Sequence, residues 1–214
     1  MKILDLKKQY KELYKPSTKK ATLVKVPRLQ FAMIDGAIEK GGEPGTSPAF
    51  RETMMALYGL SYTLKFASKL RKKNPIDYPV MALEGLWWVE DGQFDITVKD
   101  NWHYTLMMLQ PEHISQEMFD EAREHVRKKR GDSSALSRAR LEYFEEGLCV
   151  QMMHIGPYAT EPATIERMRL FAAENGYRYR VGLGVKHHEI YMSDPRRASP
   201  EKLKTVLRHP VEKI

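Results

Sequence analysis

The feature that most restricts this chain is an order of elements that occurs twice. A strand-like segment runs from Ala21 to Gly36, with Pro27 marking a bulge or edge within it. Ser47-Pro48 then opens a helix, a hydroxyl cap followed by proline at the first helical position, and the run Leu70-Arg71-Lys72-Lys73-Asn74-Pro75 closes it. Strands follow over Tyr78–Val89 and Trp102–Leu109, with Asp91-Gly92 as a hairpin turn and a short strand between them. The same order returns later. Leu148–Pro157 reads as a strand, Pro162 opens a helix that Asn175-Gly176 stops, and two strands follow, one around Glu189 and a short one over Thr205–Val211.

Two strand–helix–strand–strand units point to a duplicated module with a pseudo-twofold axis. The expected fold class is α+β, with helices packed on one side of antiparallel sheets. A ligand cleft is expected between the halves, on the sheet face opposite the helices, with Glu84 and Glu189 approaching it from equivalent places. The boundaries that follow are a basic N-terminal arm over 1–20 and a binding domain over 21–214. The domain divides into repeat one (21–111), a helical bridge (112–146, with helices over Pro111–Gly131 and Ala135–Glu146) and repeat two (147–214). In the first long helix, Phe50, Met54, Leu57, Ser61 and Leu64 form one stripe and Met55, Tyr58, Tyr62 and Phe66 a second. So wide an apolar arc predicts burial against a sheet and against something else besides.

At 214 residues with 42% hydrophobic content the chain can bury a sizeable core. No apolar run approaches the roughly 20 residues that cross a bilayer, and the N-terminus lacks the apolar stretch of a secretory signal. Cys149 is the single cysteine, so no intrachain disulfide forms and a cytoplasmic location is expected. The net charge of +7 has a definite address. Residues 1–28 carry nine Lys or Arg against Asp5 and Glu12, and the rest balances at 26 basic against 26 acidic residues. A solvated arm without a helix-turn-helix, RNA-binding or zinc-finger pattern argues against nucleic acid as the partner.

Chemistry concentrates in Lys186-His187-His188-Glu189-Ile190-Tyr191-Met192. Strand alternation puts His187, Glu189 and Tyr191 on one face and His188, Ile190 and Met192 on the other. A carboxylate between an imidazole and a phenol is an ordinary charge in water. Lining a cavity, it seeks a proton, a cation or a water to activate. Trp88 shares a face with Glu84, and Trp102 shares one with Tyr104. These four and His187 are the candidate ligand contacts. Adjacent His187 and His188 point apart and have no third ligand at suitable spacing, so no metal is expected. With no phosphate-binding glycine loop, no cofactor is expected either.

With those residues in view, the chain resembles the gyrase-inhibitor-like (GyrI-like) small-molecule-binding family. The matching stretches are Tyr78-Pro79-Val80-Met81-Ala82-Leu83-Glu84-Gly85-Leu86-Trp87-Trp88 and His187 through Arg197, with Pro200 through Arg208 similar to its stand-alone branch. The resemblance covers about residues 20–214. It implies a duplicated α+β module whose cleft holds flat, often cationic, aromatic compounds, with Glu189 as the central polar group. Related modules sense drugs for transcription activators, and this chain shows no DNA-binding domain ahead of the module. Part of the stand-alone branch is understood to hydrolyse spirocyclopropane alkylating natural products, and the paired Trp and the Glu189 motif look like that part.

Three functions follow as expectations. The first is binding of flat aromatic, hydrophobic or cationic small molecules for sequestration or detoxification. The second is a cofactor-free cyclopropanoid hydrolase in which Glu189 is the general base and Tyr191 or Tyr104 steadies the oxyanion. The third is a protein-interaction module such as a gyrase inhibitor, supported by the basic arm alone.

Overall fold

The computed structural model describes residues 2–39, 41–90, 94–97, 101–181 and 185–214. The Asp91-Gly92 turn lies outside these, as do Gly182 and Gly184. The chain starts with β1 (Lys2–Ile3), α1 (Leu6–Gln9) and α2 (Lys11–Tyr14). Next come β2 (Thr22–Val26), β3 (Leu29–Ala37), α3 (Pro48–Leu70), β4 (Ile76–Asp77), β5 (Leu83–Trp88) and β6 (His103–Leu109). Then follow α4 (Gln116–Arg130), α5 (Ser134–Ser137), β7 (Arg140–Phe144), β8 (Gly147–Ile155) and α6 (Glu161–Glu174). The chain closes with β9 (Tyr177–Tyr179), β10 (His187–Tyr191) and β11 (Lys204–Lys213).

One open antiparallel sheet runs in the order β2-β8-β11-β10-β5-β6-β3-β7, with β9 added to β11. The two units meet at β10 and β5, where Glu189 lies opposite Gly85 and His187 opposite Trp87. On either side, β11 and β8 answer β6 and β3, and α6 answers α3. The duplication is therefore present as topology. The equivalence of Glu84 with Glu189 is corrected: Glu84 pairs with Ile190, one position out of step. A twofold axis normal to a sheet keeps a residue on its own face, so the position equivalent to Glu189 has the parity of Gly85 and is not Glu84.

The segment 21–36 is two strands rather than one. Pro27 has no N–H for a ladder, and the chain breaks there into β2 and β3, which lie six strands apart. The same separation holds for β7 and β8, joined only by residues 145 and 146. Six flat strand spacings would span about 29 Å, whereas a two-residue link reaches only about 10 Å. The sheet must therefore curl until its ends approach. Ala135–Glu146, expected as a helix, is the single turn α5 followed by β7. Arg140–Phe144 pairs along the free edge of β3, and that ladder overrides the helix propensity of a Glu- and Arg-rich segment.

α3 begins as its sequence dictates, with the Ser47 hydroxyl accepting from Phe50 N at 3.0 Å and Pro48 in the first turn. Its first stripe buries Leu57, Ser61 and Leu64, joined by Leu60 beside it, and Gly59 lets α4 approach through Val126 and Arg130. Of the second stripe, Met55, Tyr62 and Phe66 remain exposed, so the extra burial expected there is not made. α6 buries Met168 and Ala172 against Val150, Met152 and Leu207.

The arm packs onto the domain. Leu6, Leu13 and Tyr14 are buried, and β1 pairs in parallel with β4. No helix among the described residues is long and apolar enough to cross a membrane.

Candidate functional site

Strand alternation and register sort the titratable residues onto two faces. Trp87, Tyr104, His187, Glu189 and Tyr191 share one face, which also carries α3 (through Phe50 against Trp87, ring centroids 5.6 Å apart) and α6. The cleft expected opposite the helices is thereby corrected: the Glu189 face is the helix-bearing one. Glu84 and Trp88 go to the other face and are withdrawn from the neighbourhood of Glu189. Trp88 stacks on His103 there and carries the Lys186 ammonium 3.5 Å above its ring.

That second face is the inside of the curl and holds a buried ionic cluster. His188 sits between two carboxylates, with Nε2 3.1 Å from Glu84 and Nδ1 3.0 Å from Glu146. Both nitrogens face acceptors, so both must carry hydrogen and the ring is an imidazolium. Burial pulls its pKa down, but Glu146 and Glu84 outweigh this and raise it to about 9. Arg208 supplies the second positive charge, 3.7 Å from Glu146, and donates to the Leu13 carbonyl at 2.6 Å. Tyr14 donates to Glu84 at 2.6 Å, and Gln151 donates to the Glu12 carbonyl at 2.7 Å. Two acids meet two cations, every partner is hydrogen-bonded, and the arm is tied down by the same bonds. This cluster is structural. His188 faces away from His187, as alternation required.

On the helix-bearing face, Glu189 is 6% exposed. Its Oε1 lies 2.8 Å from His187 Nε2, and His187 Nδ1 lies 2.6 Å from His209 Nε2. His209 Nδ1 is buried without a partner. A bare lone pair there costs less than an N–H with nothing to accept it. Hydrogens therefore run one way: His209 Nε2 donates to His187 Nδ1, and His187 Nε2 donates to Glu189. Burial first, then the neighbouring His187 and His188, hold His209 well below the usual histidine range.

Tyr191 completes the hold on the acid. Its hydroxyl accepts from Trp87 Nε1 at 3.1 Å and donates to Glu189, and burial followed by the Glu189 charge drives its pKa well up. Gly85, directly across from Glu189, makes this possible. A Cβ there would stand 2.8 Å from Trp87 Nε1 and 3.1 Å from the Tyr191 hydroxyl.

Aromatic rings surround the acid. Phe94 stacks on His187 at 5.4 Å, Trp102 tilts against Trp87 at 5.3 Å, and Tyr158 stands edge-on to Tyr191 at 6.0 Å. Tyr158 is 39% exposed, and burial, then Glu189 and Glu161, push its hydroxyl up to about 12. Tyr104 lies on this face but is sealed beneath α3, its hydroxyl 3.1 Å from Thr53, which removes it as an oxyanion donor. His154 is a satisfied histidine, 2.8 Å from Thr164.

Glu161, Tyr158, His209 and Gly85 were not picked out by sequence. Glu161 had a signal: it precedes the buried Met168 and Ala172 by 7 and 11 residues, on the inward stripe of α6. Glu161, His187 and Glu189 each place one possible ligand atom within 4.8 Å of the others, the arrangement that adjacent His187 and His188 did not suggest. The arm side, by contrast, carries a separate concavity of about 510 Å³ lined by Lys7, Lys8, Lys11, Lys15 and Lys204 among others.

A curled duplicated sheet with an oriented acid among aromatic rings defines a small-molecule-binding module. The family model for the GyrI-like small molecule binding domain matches residues 124–212. The crystal structure of an uncharacterized conserved protein from Listeria innocua is 41% identical, with TM-score 0.87 over 98% of this chain and 100% of that one. Two Listeria innocua structures described as hydrolases are similar. One is 40% identical with TM-score 0.86, covering 99% of this chain and 100% of its own. The other is 38% identical with TM-score 0.84, covering 98% and 100%. None of the curated proteins matches. The chain belongs to the GyrI-like small-molecule-binding family.

Proposed function

We propose that this protein is a hydrolase of flat aromatic small molecules, with Glu189 as general base, and that the bond it opens is the cyclopropane of a spirocyclopropane electrophile. The observation that carries this reading is the oriented Glu189 carboxylate, held by His187 and Tyr191 within an aromatic surround and still touching solvent. The two Listeria relatives described as hydrolases support it.

In the reaction, a water O–H breaks and its proton passes to Glu189 while the water oxygen bonds to the ring methylene. The strained C–C bond breaks, and its electron pair moves into the conjugated ring to leave a phenolate. Tyr158 is the part-exposed hydroxyl on this face that can donate to that oxygen, since Tyr191 is committed to Glu189 and Tyr104 is fully buried beneath α3. The phenolate takes a proton from solvent, and Glu189 returns its own. Strain relief and regained aromaticity drive the step, so positioning and one base suffice.

Binding without turnover is the second reading. The part-exposed rings Phe94 and Tyr158 favour it, because each cation–π contact adds about 0.5–2 kcal/mol for a planar cation beside Glu189. The basic arm, the support for a protein-interaction role, is built into the fold by buried bonds.

The discriminating experiment incubates the protein with a spirocyclopropyl cyclohexadienone in ¹⁸O-labelled water. Ring-opened alcohol carrying the label is expected over many equivalents, and Glu189→Gln lowers kcat by about 10² to 10⁴. An unchanged compound removes the hydrolase reading. Tryptophan quenching by a planar cationic dye, weakened in the same variant, then sustains binding alone.

A further inference from the structure

The proposed reaction leaves one buried acid unused. Glu161 is the first residue of α6 and fully buried; neither of its carboxyl oxygens has a partner in good hydrogen-bonding geometry, and the Thr205 hydroxyl is the neutral donor that lies nearest and favours its charged form by less than burial opposes it. Its neighbour across the site is Glu189, also buried, with their oxygens inside the 4.8 Å cluster that includes His187 Nε2. Two adjacent buried carboxylates with nothing positive between them are not stable as such. Each buried ion costs several kcal/mol, and their repulsion adds to that. The start of α6 favours a negative charge by at most about 2 kcal/mol, too little to reverse the balance. Either a cation or a proton must occupy the gap.

The groups facing Glu161 decide between them. From β10 come His187, Glu189 and Tyr191, from β11 Thr205, and from the turn before α6 Tyr158; no lysine or arginine acts on it. A metal ion needs the lone pair of His187 Nε2, which already donates to Glu189. Freeing it moves hydrogen to His187 Nδ1 and, in turn, to His209 Nδ1, which has no acceptor. A proton requires none of this.

We propose that Glu161 holds a proton at neutral pH and donates it to Glu189, so that the two carboxyl groups form one acid–carboxylate pair of net charge −1. The assignment rests on the reading of Glu189 as the acid of the site and adds what sets its charge. Burial, then the Glu189 charge, raises the Glu161 pKa, in accord with it. Glu161 is a positioning residue: it braces Glu189 from behind with a neutral donor. The pair takes ligands bearing one positive charge or a neutral electrophile, and gives no added affinity to dications.

The test is infrared difference spectroscopy on the full chain with ¹³C-labelled glutamate. A carboxylic-acid C=O band is expected in the wild type at neutral pH, retained in Glu189→Gln and lost in Glu161→Gln. A band that survives Glu161→Gln, or disappears in Glu189→Gln alone, overturns the assignment, as does its absence from the wild type, which needs no variant. Glu161→Gln keeps a neutral donor, so its affinity for a planar monocationic dye stays within about threefold of wild type, whereas Glu161→Ala loses at least about tenfold. Stoichiometric Zn²⁺ binding to the wild type, abolished in Glu161→Gln, would assign the gap to a metal instead. Loss of all dye binding and turnover with the band intact would sink the functional reading and leave the proton where it is placed.

Discussion

Replacing Gly85 by alanine sets two opposed effects against each other at the centre of the molecule. Alanine in place of glycine restricts the unfolded chain and by itself stabilises by about 0.4–1 kcal/mol. Against this, the added methyl would stand 2.8 Å from Trp87 Nε1 and 3.2 Å from Trp87 Cε2. The indole cannot retreat. It is 2% exposed and wedged among Phe50, Trp102 and Tyr104 with ring centroids at 5.6, 5.3 and 5.7 Å. Overpacking of this kind costs typically about 1–3 kcal/mol, so the net expectation is a loss of about 1–2 kcal/mol. The side chain with room to yield is Tyr191, whose outer neighbour is the half-exposed Tyr158. Its movement breaks the 3.1 Å bond from Trp87 and loosens Glu189. Urea unfolding reads the stability, tryptophan emission the indole hydrogen bond, and dye titration the site, where at least a tenfold loss of affinity is expected. A Gly85→Ala protein as stable as wild type, with unchanged emission and affinity, would show that the glycine is not there to clear space for Trp87 and Tyr191.

Other outcomes are open to direct measurement. Tyr14→Phe removes the hydroxyl that donates to Glu84 at 2.6 Å and should cost about 1.5–3 kcal/mol in urea unfolding, the range for a bond to a charged acceptor; a change near zero would mean that the arm is held by packing alone. His188 has its pKa raised from 6.5 to about 9, so its stabilisation is complete below pH 6.5 and is lost as the pH rises through 9, roughly 3 kcal/mol in all. A urea midpoint flat across that window contradicts the imidazolium assignment, and Glu146→Gln should bring the loss to lower pH. Tyr158→Phe should lower kcat by about a hundredfold with little change in KM if its hydroxyl meets the phenolate, and an unchanged kcat excludes that role.

Much of the architecture was legible because it rests on local periodicity. The two-residue repeat from His187 to Tyr191 separates the histidines and groups His187, Glu189 and Tyr191 whatever the strand pairs with. Ser47-Pro48 starts α3 through a bond three residues long. The reading failed where partners far along the chain decide. β7 becomes a strand because β3 offers an edge, and Pro27 separates two strands that the curl returns to each other. Glu161 joins the site because α6 crosses the sheet at Glu189.

What the amino-acid order alone determined, then, was which side chains within each element travel together, since that follows from backbone geometry over a few residues. The relation of Glu84 to Glu189 was settled only by the register of β5 against β10. Side chains alternate with a period of two, so a slip of one residue in that pairing would have put both acids on one face. The pairing of Gly85 with Glu189 instead put one acid into an ion cluster with His188 and left the other among aromatic rings.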